Sequence, residues 1–537
     1  MCGIAGWFDR QIDLRETENI LGAMLKTMEC RGPDAEGRYV EPSIALLHRR
    51  LSVIDVEQGQ QPMEEPLGED RLVIVYNGEL YNTAELRQEL QENGHHFRTR
   101  SDTEVVLKSY LHWGRTCVQR FNGIFAFAIW DTRTRKLFLA RDRAGVKPLF
   151  FSLTPGGIVF ASEIKTLLKN PLIRPEIDQD GLCEIFLMGP GRTPGQGVFR
   201  QIRELLPGEA AEYDGEHLRR AFYYRLQAHE HTLDLPHTID YLRCLLTDAV
   251  ERQLVSDVPL CCFLSGGLDS SIISHLAAAH HRRCGLPPID TYSVDYAEND
   301  RYFEKSLFQP TPDSAFIGTM VESIASNHHE VVVQNADLFE ALIPAERARD
   351  LPGMTDVDAS LLLFCAQIKR DFSVALSGEC ADELFGGYPW YHRREILLED
   401  CFPWSRSLEV RRSILKKGLF PQGEAYVRQR YEDTCRRTDK LPTDDPIEAR
   451  MREMFCLNYY WFMQTLLDRK DRMSMKNGLE VRVPFCDYRI VDLAYNLPWS
   501  MKALGGREKG IVREAFRGIL PDSIRGEGDG ACIRSEF

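Results

Sequence analysis

Short runs of apolar residues alternate with polar segments through the first 205 residues of the chain. Two stretches, residues 17–28 and 84–92, carry apolar side chains at helical spacing. Several other runs are rich in β-forming residues, namely residues 72–76, 125–130, 136–140, 149–153 and 158–161. This pattern predicts a first domain of mixed helices and sheets over residues 1–205.

The pattern changes after a segment that is rich in turn residues. Residues 206–236 begin with Pro207-Gly208 and contain a polar run, which predicts a linker. Beyond it, strand-like runs at residues 260–264, 291–294, 330–333 and 372–376 alternate with helical stretches, the first at 269–279. Such alternation predicts a parallel sheet covered by helices, with ligands at the carboxyl ends of the strands. The second domain is therefore predicted over residues 237–537, with a mainly helical part after residue 390.

The composition narrows the possible partners. A chain with 43% hydrophobic and 27% charged residues is typical of folded globular proteins. The net charge of −14 disfavours nucleic-acid binding, and the longest apolar runs fall short of the roughly 20 residues that span a membrane. Fifteen irregularly spaced cysteines and an N-terminus without an export signal predict a cytoplasmic protein with reduced thiols.

The second residue is a candidate nucleophile. Removal of the initiator Met would give Cys2 an α-amino group with a pKa of about 7.7–8.0, which can accept the thiol proton. Arg50 and Asp102 offer charges for a free amino acid, while Asn77 and the N–H of Gly78 offer donors for an oxyanion. The competing interpretation is a buried thiol, an Asn-Gly turn and two surface charges.

Two loops, each after a predicted strand, contain candidate nucleotide ligands. Residues 263–270 read Phe-Leu-Ser-Gly-Gly-Leu-Asp-Ser, where backbone N–H groups at a helix N-terminus would hold phosphate. The second loop, residues 376–388, contains Glu379 and Asp382. Asp269 and Asp382 together could hold Mg²⁺ against pyrophosphate. An ordinary turn and a solvated helix start are the alternatives.

Five segments closely resemble the glutaminase domain of class II amidotransferases. They are residues 2–6, 31–34, 48–52, 77–79 and 101–102. The resemblance implies an N-terminal-nucleophile fold, in which two stacked sheets lie between helices, and a glutamyl thioester on the nucleophile. The implied catalytic and glutamine-binding residues are Cys2, Arg50, Val53, Asn77, Gly78, Glu79 and Asp102.

The second half closely resembles the synthetase domain of asparagine synthetases, which are ATP pyrophosphatases. The resemblance extends through residues 469–475, 478–485 and 509–513. It implies a doubly wound parallel sheet in which Glu379 accepts a proton during amination and Lys509 stabilises charge on the phosphate. The implied ATP contacts are Phe263, Ser265, Gly266, Gly267, Leu268, Asp269, Ser270, Val294, Ser377 and Gly378.

The reaction implied by this resemblance forms aspartyl-AMP from ATP and aspartate, and ammonia from glutamine converts it into asparagine. Mg²⁺ as the metal and a homodimer as the assembly are implied in the same way. Amidation of a different carboxylate remains an alternative, because the motifs for ATP and glutamine do not specify the acceptor. Asp356, Asp358 and Arg469 are unranked candidates for contacting it.

Two departures from the family pattern are visible. Cys380 stands where the family most often has glycine, and a packed thiol is the favoured interpretation over a catalytic one. The chain also ends soon after Lys509, without the basic and helical tail that the resemblance implies.

Overall fold

The computed structural model describes residues 2–302 and 314–526. The C-terminal segment noted above therefore lies largely outside the described residues. The strands of the first half are β1 (Gly3–Asp9), β2 (Ala35–Glu41), β3 (Ile44–Arg50), β4 (Met63–Leu67), β5 (Asp70–Leu80), β6 (Gly123–Asp131), β7 (Lys136–Arg141), β8 (Phe150–Thr154), β9 (Gly157–Ala161), β10 (Arg203–Glu204), β11 (Glu209–Tyr213) and β12 (Leu218–Phe222). Its helices are α1 (Glu18–Thr27), α2 (Thr83–Glu92), α3 (Asp102–Trp113), α4 (Ile164–Leu167) and α5 (Gln179–Cys183).

The first half consists of two stacked antiparallel sheets. Their strand orders are β10-β8-β9-β1-β3-β2 and β12-β11-β7-β6-β5-β4. Apolar side chains of both sheets, including Ile4, Leu46 and Val75, fill the space between them. Helices α1 and α4 pack on the outer face of the first sheet, and α2 and α3 on that of the second. This is the αββα sandwich that the sequence predicts.

The second half contains the predicted parallel sheet. Its strands are β13 (Leu260–Phe263), β14 (Asp290–Tyr296), β15 (Asn327–Val333), β16 (Val374–Leu376) and β17 (Glu480–Arg482). They pair in parallel in the order β15-β14-β13-β16-β17. The direction of strand addition reverses beside β13, and such a switch point opens a crevice at the carboxyl ends of the adjoining strands.

Helices cover this sheet and form the rest of the second half. They are α6 (Leu235–Gln253), α7 (Leu268–Cys284), α8 (Asn299–Tyr302), α9 (Ser314–Ile324), α10 (Asn335–Arg349), α11 (Asp356–Ile368), α12 (Ala381–Phe385), α13 (Pro389–His392), α14 (Arg394–Leu397), α15 (Leu408–Ser413), α16 (Gly423–Arg437), α17 (Pro446–Leu457), α18 (Met463–Met475), α19 (Tyr488–Asn496), α20 (Trp499–Lys502) and α21 (Gly510–Ala515). Over the described ranges, no helix combines the length and the apolar character needed to span a membrane.

The segment predicted as a linker contributes to the first half. Strands β11 and β12 lie within residues 206–236, and β11 pairs with β7 of the second sheet. Residues 209–222 therefore belong to the sandwich and not to a linker. Their turn residues, such as Gly208 and Gly215, lie at the ends of these strands.

A buried cluster of charges joins the two halves. The Arg31 guanidinium donates to both carboxylate oxygens of Asp471, at 2.7 and 3.2 Å, and also to the Cys2 carbonyl oxygen at 3.1 Å. The Lys147 ammonium lies 3.4 Å from the same carboxylate. Burial alone would raise the pKa of Asp471, but Arg31 and Lys147 lower it to about 2. The cluster therefore stabilises the fold above the ordinary aspartate pKa of about 3.9 and loses this effect as the pH falls toward 2.

Replacing Arg31 by Met is expected to destabilise the protein strongly. The change leaves the buried Asp471 carboxylate with one cation fewer, and breaking such a pair typically costs about 3–5 kcal/mol. Urea unfolding measures the loss. The control is Arg120→Met, because Arg120 pairs with Glu89 at 2.8 Å on the surface, where about 1 kcal/mol or less is expected. Equal effects of the two substitutions would contradict a stabilising role of the buried cluster.

Candidate functional site

Two loops face each other at the switch point of the parallel sheet. One follows β13 and the other follows β16, and a cavity of about 400 Å³ opens between them. The backbones of the loops touch, because a Cβ atom added at Gly378 would lie 2.7 Å from the amide nitrogen of Ser270. The first loop is held in shape by the Ser270 hydroxyl, which accepts from the Ser265 N–H at 3.1 Å.

Most of the predicted ATP contacts lie on the wall of this cavity. They are Phe263, Ser265, Gly267, Asp269, Ser270, Val294, Ser377 and Gly378. Gly266 and Leu268 belong to the same loop but do not line the cavity. The side chain of Leu268 is turned into the hydrophobic core, and Gly266 provides a left-handed turn with φ of 79°.

Lys509 connects the two predicted metal ligands. Its ammonium group lies 2.7 Å from Asp269 Oδ2 and 2.7 Å from Asp382 Oδ1. Burial would lower the pKa of Lys509, but the two carboxylates raise it above its ordinary value. Burial, together with the charge of Asp382, raises the pKa of Asp269 to about 6 even though Lys509 opposes the shift. Two acids and a cation are thus concentrated beside the loop for which the sequence predicts pyrophosphate binding.

Asp269 and Asp382 supply carboxylate oxygens, which are the donor type that Mg²⁺ prefers. Within residues 2–302 and 314–526, no three His, Cys, Asp or Glu side chains form a group able to hold a metal by themselves. Asp269 Oδ1 is buried without a hydrogen-bond partner among the described residues. Because Mg²⁺ uses one or two carboxylates and completes its shell with phosphate oxygens and water, Asp269 and Asp382 suit it beside a nucleotide.

Glu379 is held by two cations that also line the cavity. Arg469 Nη2 lies 3.0 Å from Glu379 Oε1, and Lys470 Nζ lies 2.6 Å from Glu379 Oε2. Burial would raise the pKa of Glu379, but Lys470 and Arg469 hold it below its usual value. The carboxylate is therefore ionised at neutral pH and able to accept a proton.

Cys380 has a backbone conformation that favours glycine. Its φ of 79° lies in the left-handed region, and its side chain is only 2% exposed. The buried thiol agrees with the interpretation of Cys380 as a packing group. The conformation also explains why glycine suits this position in the family pattern.

Because of this φ angle, Cys380→Gly is expected to give a more stable protein than Cys380→Ala, by about 1 kcal/mol. The reference pair is Cys456→Gly and Cys456→Ala in helix α17, where alanine should be the more stable by a similar amount. Urea unfolding of the four variants gives both differences. A more stable alanine variant at position 380 would contradict backbone strain there.

The N-terminal candidate site lies at the start of strand β1, which is flanked by β3 and β9. The Cys2 N–H donates to Asn77 Oδ1 at 2.9 Å. Asn77 Nδ2 is buried and has no partner among the described residues, so the amide presents its donors to the pocket. Gly78 must be glycine, because a Cβ atom there would lie 2.2 Å from the Ile124 carbonyl oxygen. Burial raises the pKa of the Cys2 thiol although Arg50 opposes the shift, so a base is needed to form the thiolate.

Two buried charges beside this thiol lack ionic partners. Arg50 donates to the carbonyl oxygens of Ile54, Asp55 and Val56, at 2.6 to 3.3 Å, and belongs to none of the ion pairs in the described part of the chain. Asp102 accepts from the Tyr76 hydroxyl and the Leu80 N–H, both at 3.0 Å. A guanidinium and a carboxylate that lack ion-pair partners suit the α-carboxylate and α-ammonium of an amino acid.

Residues of the second half pack against this site. Glu79 is buried, and Arg482 Nη2 of strand β17 lies 3.6 Å from its carboxylate. Burial, together with Glu480 and Asp102, raises the pKa of Glu79 well above its ordinary value. Val53 packs in an apolar cluster with Val374 and Met475 of the second half.

The sequence assigned no role to several groups that the structure places in the candidate sites. Lys470, Glu383 and Tyr388 line the nucleotide cavity, and the Tyr388 hydroxyl donates to Glu383. Burial and the charge of Asp382 raise the pKa of Glu383 to about 8. Arg482 was visible only as part of a family motif. These charged residues have no periodic spacing, so the sequence does not show which of them lie together in the folded protein.

Two family models match the chain. The asparagine synthase model matches residues 241–527, and the glutamine amidotransferase domain model matches residues 1–224. Among curated proteins, asparagine synthetase [glutamine-hydrolyzing] 3 of Bacillus subtilis is 48% identical over 98% of this chain and 85% of its own length. Asparagine synthetase [glutamine-hydrolyzing] 1 of the same organism is 29% identical with the same two coverages. Among solved structures, glutamine phosphoribosylpyrophosphate amidotransferase of B. subtilis covers 62% of this chain and 81% of its own, at 15% identity and a TM-score of 0.32.

Proposed function

The chain belongs to the asparagine synthase family, and we propose that it hydrolyses glutamine at one site and uses ATP at the other to convert aspartate into asparagine. Glutamate, AMP and pyrophosphate are the other products. The observation that carries the proposal is the nucleotide cavity, where Asp269, Asp382 and Lys509 meet beside the two backbone loops.

Glutamine hydrolysis begins at Cys2. After removal of the initiator Met, the α-amine occupies the place of the present N–H beside Asn77 and accepts the thiol proton. The thiolate then attacks the side-chain amide of glutamine. Asn77 Nδ2 and the Gly78 N–H stabilise the oxyanion, and the α-ammonium returns its proton to the leaving nitrogen, which departs as ammonia. Water then releases glutamate from the thioester.

Glutamine is positioned by the two charges that lack ionic partners. Arg50 binds its α-carboxylate and Asp102 its α-ammonium, while Val53 and Glu79 line the pocket. The arrangement favours a free amino acid, because each buried charge needs a counter-charge that the described protein groups do not supply.

Activation of aspartate takes place in the nucleotide cavity. The side-chain carboxylate of aspartate attacks the α-phosphorus of ATP. Pyrophosphate is the leaving group, and the loop of residues 265–270 holds it. Lys509 stabilises the negative charge that develops on the phosphates. Asp269 and Asp382 would hold Mg²⁺, which supplies further positive charge to the phosphates when bound.

Amination completes the reaction. Ammonia attacks the acyl carbon of aspartyl-AMP, AMP leaves, and Glu379 accepts the proton that the new amide nitrogen loses. The apolar cluster that contains Val53, Val374 and Met475 joins the two halves beside the glutamine pocket. Apolar side chains exclude water. The cluster therefore supports the proposal that ammonia crosses the interface near it in its neutral form.

The pairing of β11 with β7 supports a later domain boundary than the one predicted from the sequence. We propose that the amidotransferase domain extends to Phe222, the end of β12, and that the synthetase domain begins with α6 at Leu235. A homodimer and a cytoplasmic location stay predictions from family resemblance and composition.

The acceptor is tested by incubating the protein with ATP, Mg²⁺ and glutamine and with one carboxylic acid at a time. The panel consists of aspartate, glutamate, succinate and β-alanine. Aspartate is expected to give asparagine together with AMP. AMP and an amide formed from another acid, with no asparagine from aspartate, would contradict the proposed acceptor.

A further inference from the structure

Around Glu379, two cations of the cavity wall share a single anion. Arg469 and Lys470 both contact Glu379, and no other carboxylate lies within ion-pair distance of either cation among the described residues. Glu383 lines the same cavity, accepts from the Tyr388 hydroxyl and forms no ion pair with either cation. An anionic group of the substrate would restore neutrality here.

Arg469 has free donors in addition to excess charge. Its side chain is 14% exposed, and Nη2 is the atom that contacts Glu379. Nε is buried with no hydrogen-bond partner among the described residues. A buried unpaired donor is costly, and the planar guanidinium matches a carboxylate in two parallel hydrogen bonds.

Lys470 is placed differently. Its ammonium lies 5.1 Å from the ring centroid of Phe263, the aromatic side chain predicted to contact adenosine. Lys470 is therefore on the nucleotide side of Glu379. Arg469 is the cation left for the part of the acceptor that does not react with ATP.

The other two candidates for acceptor contact do not reach the cavity. Asp358 is buried, accepts from Arg349 Nη1 at 3.0 Å and from the Met354 N–H at 2.9 Å, and is thus already paired. Asp356 is exposed at the start of α11. Neither residue lines the cavity, whereas Arg469 does.

On the basis of the proposed function, we propose that Arg469 binds the α-carboxylate of the acceptor and thereby selects an α-amino acid over a simple carboxylic acid. Glu379 occupies one N–H of Nη2, and the Nε–H, which has no partner among the described residues, remains for the acceptor. Arg469 is a specificity-determining residue in this assignment.

The same contact affects Glu379. When the α-carboxylate shares Arg469, its negative charge adds to the field at Glu379, whose other charged contact is Lys470. A nearby anion makes a carboxylate a stronger base. Acceptor binding would thus prepare Glu379 for the proton of the incoming nitrogen.

The test compares aspartate with β-alanine, which is aspartate without its α-carboxylate. Pyrophosphate release with ATP and Mg²⁺, in the absence of glutamine and ammonia, reports acceptor activation. Arg469→Gln should lower kcat/KM for aspartate by about 10- to 100-fold, the usual loss for a hydrogen bond to a charged group. Activation of β-alanine should change by less than about threefold, because the lost partner group is absent from this acceptor.

Control variants separate this role from a structural one. Arg469→Lys keeps the positive charge but lacks the planar guanidinium. Its preference for aspartate over β-alanine should lie between those of the wild type and Arg469→Gln. Arg283→Gln, an exposed arginine on α7 that pairs with Glu251, should leave the preference unchanged. Glutamine hydrolysis and the KM for ATP should stay at wild-type values in all three.

Each outcome is decisive. Equal losses for aspartate and β-alanine in Arg469→Gln, or an unchanged preference in both Arg469 variants, would overturn the assignment. If Arg469→Gln loses glutamine hydrolysis through misfolding, the Arg469→Lys variant decides by the same ratio. Wild-type protein that activates neither aspartate nor β-alanine would instead contradict the proposed function.

Discussion

Cys2→Ala is expected to abolish glutamine hydrolysis and leave ammonia-dependent synthesis of asparagine intact. The substitution removes the only atom that attacks the amide, so glutamate release should fall roughly a thousandfold or more. The nucleotide cavity is built from residues of the second half and keeps its geometry. Glutamate release and asparagine formation from ammonium chloride, measured on the same preparation, give the two numbers.

Cys244→Ala is the matched control, because this cysteine is exposed on α6 and distant in sequence from both loops. It should leave both activities at wild-type levels. Persistent glutaminase activity in Cys2→Ala would contradict the role of Cys2. If the ammonia-dependent reaction were lost as well, the second half would depend on Cys2 for more than its supply of ammonia.

Lys509→Gln is expected to stop activation of aspartate while glutamine hydrolysis continues. The ammonium of Lys509 neutralises Asp269 and Asp382, and a neutral amide leaves two acids facing the phosphates of ATP. Removing one preorganised group of this kind costs about 100- to 1,000-fold in rate. Pyrophosphate release in the presence of aspartate, ATP and Mg²⁺ measures the effect.

The control for this variant is Lys440→Gln. Lys440 pairs with Glu453 near the surface and does not line the nucleotide cavity, so pyrophosphate release should be unchanged. Continued glutamine hydrolysis in Lys509→Gln shows that the first half remains folded. Activation of aspartate at the wild-type rate would remove Lys509 from the proposed machinery.

The hydrophobic pattern predicted the class of both halves but not every boundary. Strand β5 extends to Leu80, although residues 72–76 alone carry its apolar run. It passes through Asn77 and Gly78, which pair with Ala126 and Phe125 of β6. Asn-Gly is a turn signal by local propensity. Here the pairing with β6 and the proximity of Cys2 outweigh that propensity.

Charged strands were not predictable from periodicity. Strand β17 contains Glu480 and Arg482, which pair with each other at 2.6 Å in the buried interior. Strand β12 contains Arg219 and Arg220, and it lies in the segment that turn residues and a polar run predict to be a linker. Periodic sequence patterns detect strands that bury apolar side chains, whereas the charged side chains of β12 and β17 form ion pairs.

The candidate sites were predictable to the extent that each group lies in a short motif. The loops after β13 and β16 were correctly expected at the carboxyl ends of parallel strands. The partners of Glu379 were not expected, because Arg469 and Lys470 lie 90 or more residues further along the chain. Long-range convergence of single charges has no local signature, and only the folded structure shows it.

The transfer of nitrogen between the two sites is the central claim, and it can be measured in one reaction. The protein is supplied with ATP, Mg²⁺, aspartate and glutamine that carries a heavy isotope in its side-chain amide. The proposed function predicts that the isotope enters the amide of asparagine in amounts equal to the AMP formed. Asparagine without the isotope, or AMP formation with all of the isotope left in free ammonia, would contradict it.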